Sequence, residues 1–267
     1  MPKDGIAVKH FSPSATARLE KIGQLADFTQ HQRVLEVGCG IGHISETLAP
    51  RVGTFIGLEV LPESVRIAKK SIGSEHAHFV VGLAEALPFR SGVFDGFVAA
   101  EVIEHLPQPE HLLHEARRVL RTGSKLLLTT PNGDLSKPFT GSMPIPSLVW
   151  FLAALTKHPK FRWPYGHRYG GITARRLRTM LQSEGFGIDR QLFCGWAITK
   201  AIDELLYTAT VITRKTGEVA WTKSDAGMGF KLYRAVFPLI NAFSKLDNIP
   251  LRLGLEGYIT VVRATRD

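Results

Sequence analysis

Glu101-Val-Ile-Glu104-His105 brings two carboxylates and one imidazole within five residues, directly after the apolar run Phe94-Asp-Gly-Phe-Val-Ala-Ala100. Two hard oxygens and an imidazole can hold a divalent cation in a site left partly open for a substrate. The same imidazole can work without a metal, as a base that takes a proton or as a group that orients an acceptor. A second stretch, Arg33-Val-Leu-Glu-Val-Gly-Cys-Gly-Ile-Gly42, is an apolar strand pattern that contains Glu36 and runs into glycines at 38, 40 and 42. Glycine lacks a Cβ, so the backbone can turn tightly and let a ligand lie against it, while the next helix opens with free N–H groups. Glu59 follows Gly40 by 19 residues, at the end of the apolar run Thr54-Phe-Ile-Gly-Leu58. A carboxylate there can accept both hydroxyls of a ribose.

These residues need a scaffold of alternating strands and helices. Apolar runs at 33–37, 54–58, 78–81, 94–100 and 124–130 read as strands, and helical patterns fall between them at 42–48, 62–71 and 110–120. Strand-helix-strand alternation implies parallel strands, whose carboxyl edge carries the ligands. An amphipathic helix over 14–28 precedes the first strand, and further strands are expected at 186–193 and 258–263. Between those two lie helical patterns at 197–212 and 230–243, separated by a polar loop with Gly217, Asp225 and Gly227.

The glycine spacing separates ligands. A dinucleotide loop needs Gly-x-Gly-x-x-Gly, and counting from Gly38 puts His43 at the third glycine position. That argues against a dehydrogenase.

With 267 residues, 44% of them hydrophobic, the chain can bury a full core, and a single domain with insertions is expected. Met-Pro-Lys-Asp opens no signal sequence, and no apolar run reaches the ~18 residues of a membrane span, so the cytoplasm is the expected compartment. Cys39 and Cys194 form no Cys-x-x-Cys pair, and Cys39 reads as a small residue in a tight loop. The net charge of +9 lies entirely in the second half: residues 1–133 hold 14 basic and 14 acidic side chains, residues 134–267 hold 19 and 10. Such a field favours anionic partners, RNA or an anionic membrane surface. The uncharged run 147–155, followed by Lys157, His158, Lys160, Arg162 and Trp163, suits either a lid over an apolar substrate or a peripheral membrane contact.

The register of Gly38, Gly40 and Gly42, with Glu36 two residues ahead, resembles motif I of class I S-adenosylmethionine-dependent methyltransferases. The resemblance implies a Rossmann-like α/β fold with a seven-stranded, mostly parallel sheet, an antiparallel last strand and helical insertions. It implies S-adenosylmethionine as cofactor, met by Glu36, Gly38, Cys39, Gly40, Gly42, Glu59, Val60, Leu83, Ala84, Glu85 and Glu101. The family usually has Asp after the glycine equivalent to Gly82, where this chain has Leu83, so Glu85 or backbone must meet the adenine amino group. Glu-x-x-Glu-His resembles the ubiquinone-pathway O-methyltransferases, which favour apolar phenols, and also the enzymes that methylate the 2′-hydroxyl at small-RNA 3′ ends. From the latter likeness, Glu101, Glu104, His105 and His167 form a four-ligand set for Mg or Mn; without a metal, His105 and His167 are the catalytic candidates. Thr-Pro-Asn132 is similar to the same family.

The expectation is therefore one domain over 1–267, with its core at 30–133, 165–193 and 257–264 and insertions at 134–164 and 196–256 capping the substrate. The expected reaction is methyl transfer to a hydroxyl of a hydrophobic small molecule of quinone-precursor, lipid or polyketide type. The alternatives are RNA 2′-O-methylation, N- or C-methylation of a small molecule, and nucleotide binding without chemistry.

Overall fold

The computed structural model describes residues 12–133, 171–213 and 228–267, together with 148, 151, 152 and 155. His167, residues 157–163, most of the run 147–155, and the loop with Gly217, Asp225 and Gly227 lie outside the described residues.

Seven strands make one sheet in the order β3-β2-β1-β4-β5-β7-β6. They are β1 (Arg33–Val37), β2 (Thr54–Glu59), β3 (Ala77–Val81), β4 (Phe94–Ala100), β5 (Leu120–Pro131), β6 (Phe186–Cys194) and β7 (Ile259–Arg266). The pairs β3-β2, β2-β1, β1-β4 and β4-β5 are parallel, and the antiparallel β7 lies between β5 and the edge strand β6. The fold is thus the Rossmann-like arrangement that the family resemblance implied, with the parallel strands expected from the strand and helix alternation. Val34, Leu35 and Val37 of the central β1 are fully buried, the reading expected of a strand covered on both faces.

Helices α1 (Pro13–Leu25), α2 (Ser45–Leu48), α3 (Pro62–Ile72) and α4 (Pro109–Val119) accompany the first strands. Pro62 in the first turn of α3, Glu63 at its positive end, Lys69 and Lys70 at its negative end and the left-handed Gly73 (φ 55°) beyond it are favourable terminal choices. The helix expected from Gly42 begins only at Ser45, because Gly42 is left-handed (φ 96°), and it tightens into a 3-10 turn at Ala49–Arg51. β5 starts four residues earlier than its apolar run, since the chain leaves α4 directly into extended backbone at Leu120.

The chain divides into two compact units. The first comprises Leu19–Thr130, Ala174–Leu192 and Val261–Asp267, the second Met1–Arg18, Pro131–Thr173 and Phe193–Thr260. The first holds α5 (Ala174–Ser183), whose Ala174, Leu177, Met180 and Leu181 are buried at helical spacing. Its β5, β6 and β7 are joined by polar side chains: Lys125 Nζ lies 3.0 Å from Asp189 Oδ2 and donates to Thr265 Oγ1 at 2.6 Å, and Thr265 Oγ1 donates to Asp189 Oδ1 at 2.8 Å.

The second unit is built on α6 (Ala197–Thr213), α7 (Met228–Ser244), a 3-10 turn at Lys245–Asp247 and α8 (Asn248–Arg252). Asp247 is buried and accepts the N–H groups of Trp196 (2.8 Å), Ile198 (3.1 Å) and Thr199 (2.7 Å), the orphan donors at the start of α6. Lys200 and Glu204, both buried, pair at 3.1 Å one turn apart. Asp203 is buried beside Ser12, whose hydroxyl donates to it at 3.0 Å, and burial pushes its carboxyl up to about 6 against the pull of Ser14 and Ser12.

A clamp fixes the connection between β3 and β4 in the first unit. Glu115 accepts Leu87 N–H at 2.6 Å and two donors of Arg118, while Arg118 donates to Phe89 O at 2.7 Å and Leu87 O at 3.0 Å. The Arg118 hydrogen bonds hold the Glu115 carboxyl below its usual range, and burial opposes them. The carboxylate's contribution to stability is present above the unfolded value of about 4.3 and is lost as pH falls through the folded value. Glu115→Gln should lower stability by ~1–3 kcal/mol at neutral pH, and its thermal midpoint should fall less than that of the parent on acidification. Melting curves across the acid limb check both.

Candidate active site

The glycine loop leaves β1 where a Cβ is excluded. Gly38 adopts φ 71°, and a Cβ built on it would stand 2.3 Å from Val102 Cγ2, so the loop and the end of β4 touch directly. Its N–H and that of Cys39 both reach Leu58 O, at 2.8 and 3.1 Å, which ties the loop to the end of β2. Gly40 is also left-handed (φ 53°), but a Cβ there would meet no atom of the protein within 4 Å. The backbone at Gly40 therefore faces open space, a surface against which a ligand can lie.

Glu59 stands beside that surface. One carboxylate oxygen accepts Gly40 N–H at 3.1 Å, and the other accepts Leu61 N–H at 3.1 Å. Each oxygen keeps a second acceptor direction, which is what a pair of ribose hydroxyls requires. Val60, next in the chain, is exposed, as are Val81 at the end of β3 and Leu83, which is 53% exposed. Glu59 and Val81 are register partners, so this apolar surface sits at the carboxyl edge of neighbouring strands. Leu83 and Ala86 form an isolated bridge that shapes the loop carrying Ala84 and Glu85.

Glu36 behaves differently from Glu59. It is 2% exposed and accepts a 2.5 Å hydrogen bond from Ser45 Oγ, so it braces the loop against α2 from below. Burial pushes its carboxyl up to about 7, the Ser45 hydroxyl opposes this, and the charge of Glu59 adds to it. The Cys39 thiol is buried and pushed far upward, first by burial and then by Glu36 and Glu59, so it remains a protonated thiol.

At the end of β4 the chain turns on Glu101, which has φ 58° although it is not glycine. Its N–H donates to Thr129 O at 3.0 Å, and its carboxylate accepts Thr129 Oγ1 at 3.0 Å. A 3-10 turn at Ile103–His105 follows. It sends Glu104 inward, 1% exposed, where Thr130 Oγ1 donates to it at 3.2 Å, and leaves His105 exposed. Of the set expected from Glu101, Glu104, His105 and His167, three members are described, and among the described residues no three His, Cys, Asp or Glu side chains form a group that could hold an ion. His167 lies outside the described residues.

Ser45, Val102, Thr129 and Thr130, which set these side chains, were not singled out in the sequence. The threonines end β5 at positions paired with β4, Ala100 against Thr129, and only that pairing gives them a role. Asn132 is buried and structural, its amide donating to Glu256 Oε2 and Gly257 O, each at 3.1 Å.

Gly38→Ala should cost ~1–3 kcal/mol through the clash and the left-handed backbone. Adding Val102→Ala should recover the steric part, as read by denaturant unfolding. Glu36 gives a pH signature of opposite sign to Glu115. Its folded carboxyl holds a proton that the unfolded one releases, so its contribution is present below about 4.3 and lost as pH rises through about 7. Glu36→Gln should flatten the fall of the thermal midpoint between those two pH values.

The family model described as a methyltransferase domain matches residues 35–128. A ubiquinone biosynthesis O-methyltransferase of Xanthomonas axonopodis pv. citri is 31% identical over 120 residues, 44% of this chain and 47% of that protein. The chain thus spans less than half the length of that relative. Among solved structures, the [4+2]-cyclase SpnF shares the fold with a TM-score of 0.61 at 18% identity, covering 93% of this chain and 80% of that one. A geranyl diphosphate C-methyltransferase of Streptomyces coelicolor, solved with Mg2+, geranyl diphosphate and S-adenosyl-L-homocysteine, gives 0.56 at 13% identity, covering 94% and 78%. Residues 35–128 thus match a methyltransferase domain, and the sheet order and glycine loop are those of the Rossmann-like class I methyltransferase fold.

Proposed function

We propose that the chain transfers a methyl group from S-adenosylmethionine to a hydroxyl of a hydrophobic small molecule of quinone-precursor, lipid or polyketide type. The observation that carries this reading is the open backbone at Gly40 with Glu59 beside it. Glu59 would hold the ribose, Gly38 to Gly42 would face the amino-acid end of the cofactor, and Val60 and Leu83 would cover the adenine. Ala84, Glu85 and Glu101 complete that cofactor set, with Glu101 fixed by Thr129. The sulfonium of the bound cofactor supplies a reactive methyl group, so the protein's share is alignment of the acceptor and removal of its proton.

His105 is the group we assign to that proton: it is exposed at the carboxyl edge, four residues after Glu101. The hydroxyl acceptor and the apolar substrate class are supported by the relative, an enzyme of ubiquinone biosynthesis. RNA 2′-O-methylation is the second reading, favoured by the excess of basic residues in the second half.

Glu59→Ala should weaken binding of S-adenosylhomocysteine ~10- to 100-fold in titration calorimetry, as expected for loss of charge-assisted hydrogen bonds. His105→Ala should bind it as the parent does while lowering kcat toward a phenolic quinone precursor ~100-fold or more. Unchanged cofactor affinity in Glu59→Ala would remove the ribose assignment, and unchanged kcat in His105→Ala would remove the base.

A further inference from the structure

In the second unit, α7, the 3-10 turn and α8 leave a row of large apolar side chains in solvent: Val236, Leu239, Phe243, Leu246, Ile249 and Leu253. Successive members are three or four residues apart, the spacing of one helical face. Leu239 is 74% exposed and Leu253 78%, so these are not core residues with a visible edge. The other side of the same segment is already used: Phe237, Ser244 and Asp247 are buried, and Asp247 caps α6. A continuous exposed apolar row of this length marks an interaction surface.

Charge identifies the partner. Between 228 and 255 the sequence holds Lys231, Arg234, Lys245 and Arg252 against one acid, Asp247. That acid is buried, whereas Lys245 and Arg252 are exposed within the span of the apolar row. An apolar face with cations beside it matches an anionic bilayer surface, where side chains enter the acyl boundary and Lys or Arg meets the headgroups. A second copy of the same face would set like charges together. No helix among the described residues is long and apolar enough to cross a membrane, so the contact lies on the surface.

We propose that this face docks the protein on an anionic lipid bilayer. The proposal is independent of the reaction assigned above, and binding alone tests it. The full chain is sedimented with phosphatidylcholine vesicles prepared with and without phosphatidylglycerol, at low and high salt. Binding is expected only with phosphatidylglycerol, weakening as salt rises. Leu239→Ser/Phe243→Ser should weaken it at least ~10-fold with an unchanged melting temperature, because two large apolar side chains no longer enter the bilayer. Should that double variant fail to fold, Leu253→Ser carries the same expectation. Absence of vesicle binding, binding that survives these substitutions, or a parent dimer that they convert to a monomer would overturn the proposal.

Discussion

The candidate site depends on one close approach, that of the Gly38 backbone to the side chain of Val102. It joins two of the strand ends that line the site, the glycine loop after β1 and the Glu101 turn after β4. β1 and β4 are neighbours in the sheet, so their carboxyl ends emerge side by side. A methyl group at position 38 would push them apart. From that contact follow the loop's bonds to Leu58 O, the placement of Gly40 against Glu59, and the opening in front of it.

Three acidic side chains in this region have three fates, set by where the backbone delivers them. Glu36 points below the loop into the core and holds its proton up to about pH 7, so it serves as a neutral or weakly charged brace on Ser45. Glu59 ends β2 and keeps acceptor directions toward the open side. Glu104 is turned inward onto Thr130 by the 3-10 turn that leaves His105 outside. One local device, the left-handed Glu101 held by Thr129, separates the exposed imidazole from the buried carboxylate.

The second unit meets its polar requirements by different means. Its buried charges are compensated locally: Lys200 pairs with Glu204 one turn on, and Asp247 satisfies three N–H groups at the start of α6. Removing one partner from such a pair costs far more than the pair contributes, so these groups specify the arrangement rather than supply net stability. Among the described side chains of 236–253, Asp247 is drawn inward while Lys245, Arg252 and the apolar row are exposed.

The sequence by itself determined where the strands, their intervening helices and the glycine loop lie. Strand and helix periods alternate with glycine and proline at their ends, and these signals are local: each strand from Arg33 to Thr130 needs only its own run of apolar residues. The left-handed glycines were legible for the same reason, since no other residue adopts that backbone without strain. Only the tertiary structure decided which way the functional side chains point. Glu101 and Glu104 lie close together along the chain, and it is Thr129 and Thr130, more than 20 residues away, that hold their carboxylates across the β4-β5 pairing. Likewise, the pattern from Val236 to Leu253 reads as an ordinary buried helix face in sequence. Burial of Phe237, Ser244 and Asp247 shows which side of it turned inward. Periodicity fixes that a helix has an apolar side, but the partner that side receives is a property of the assembled chain.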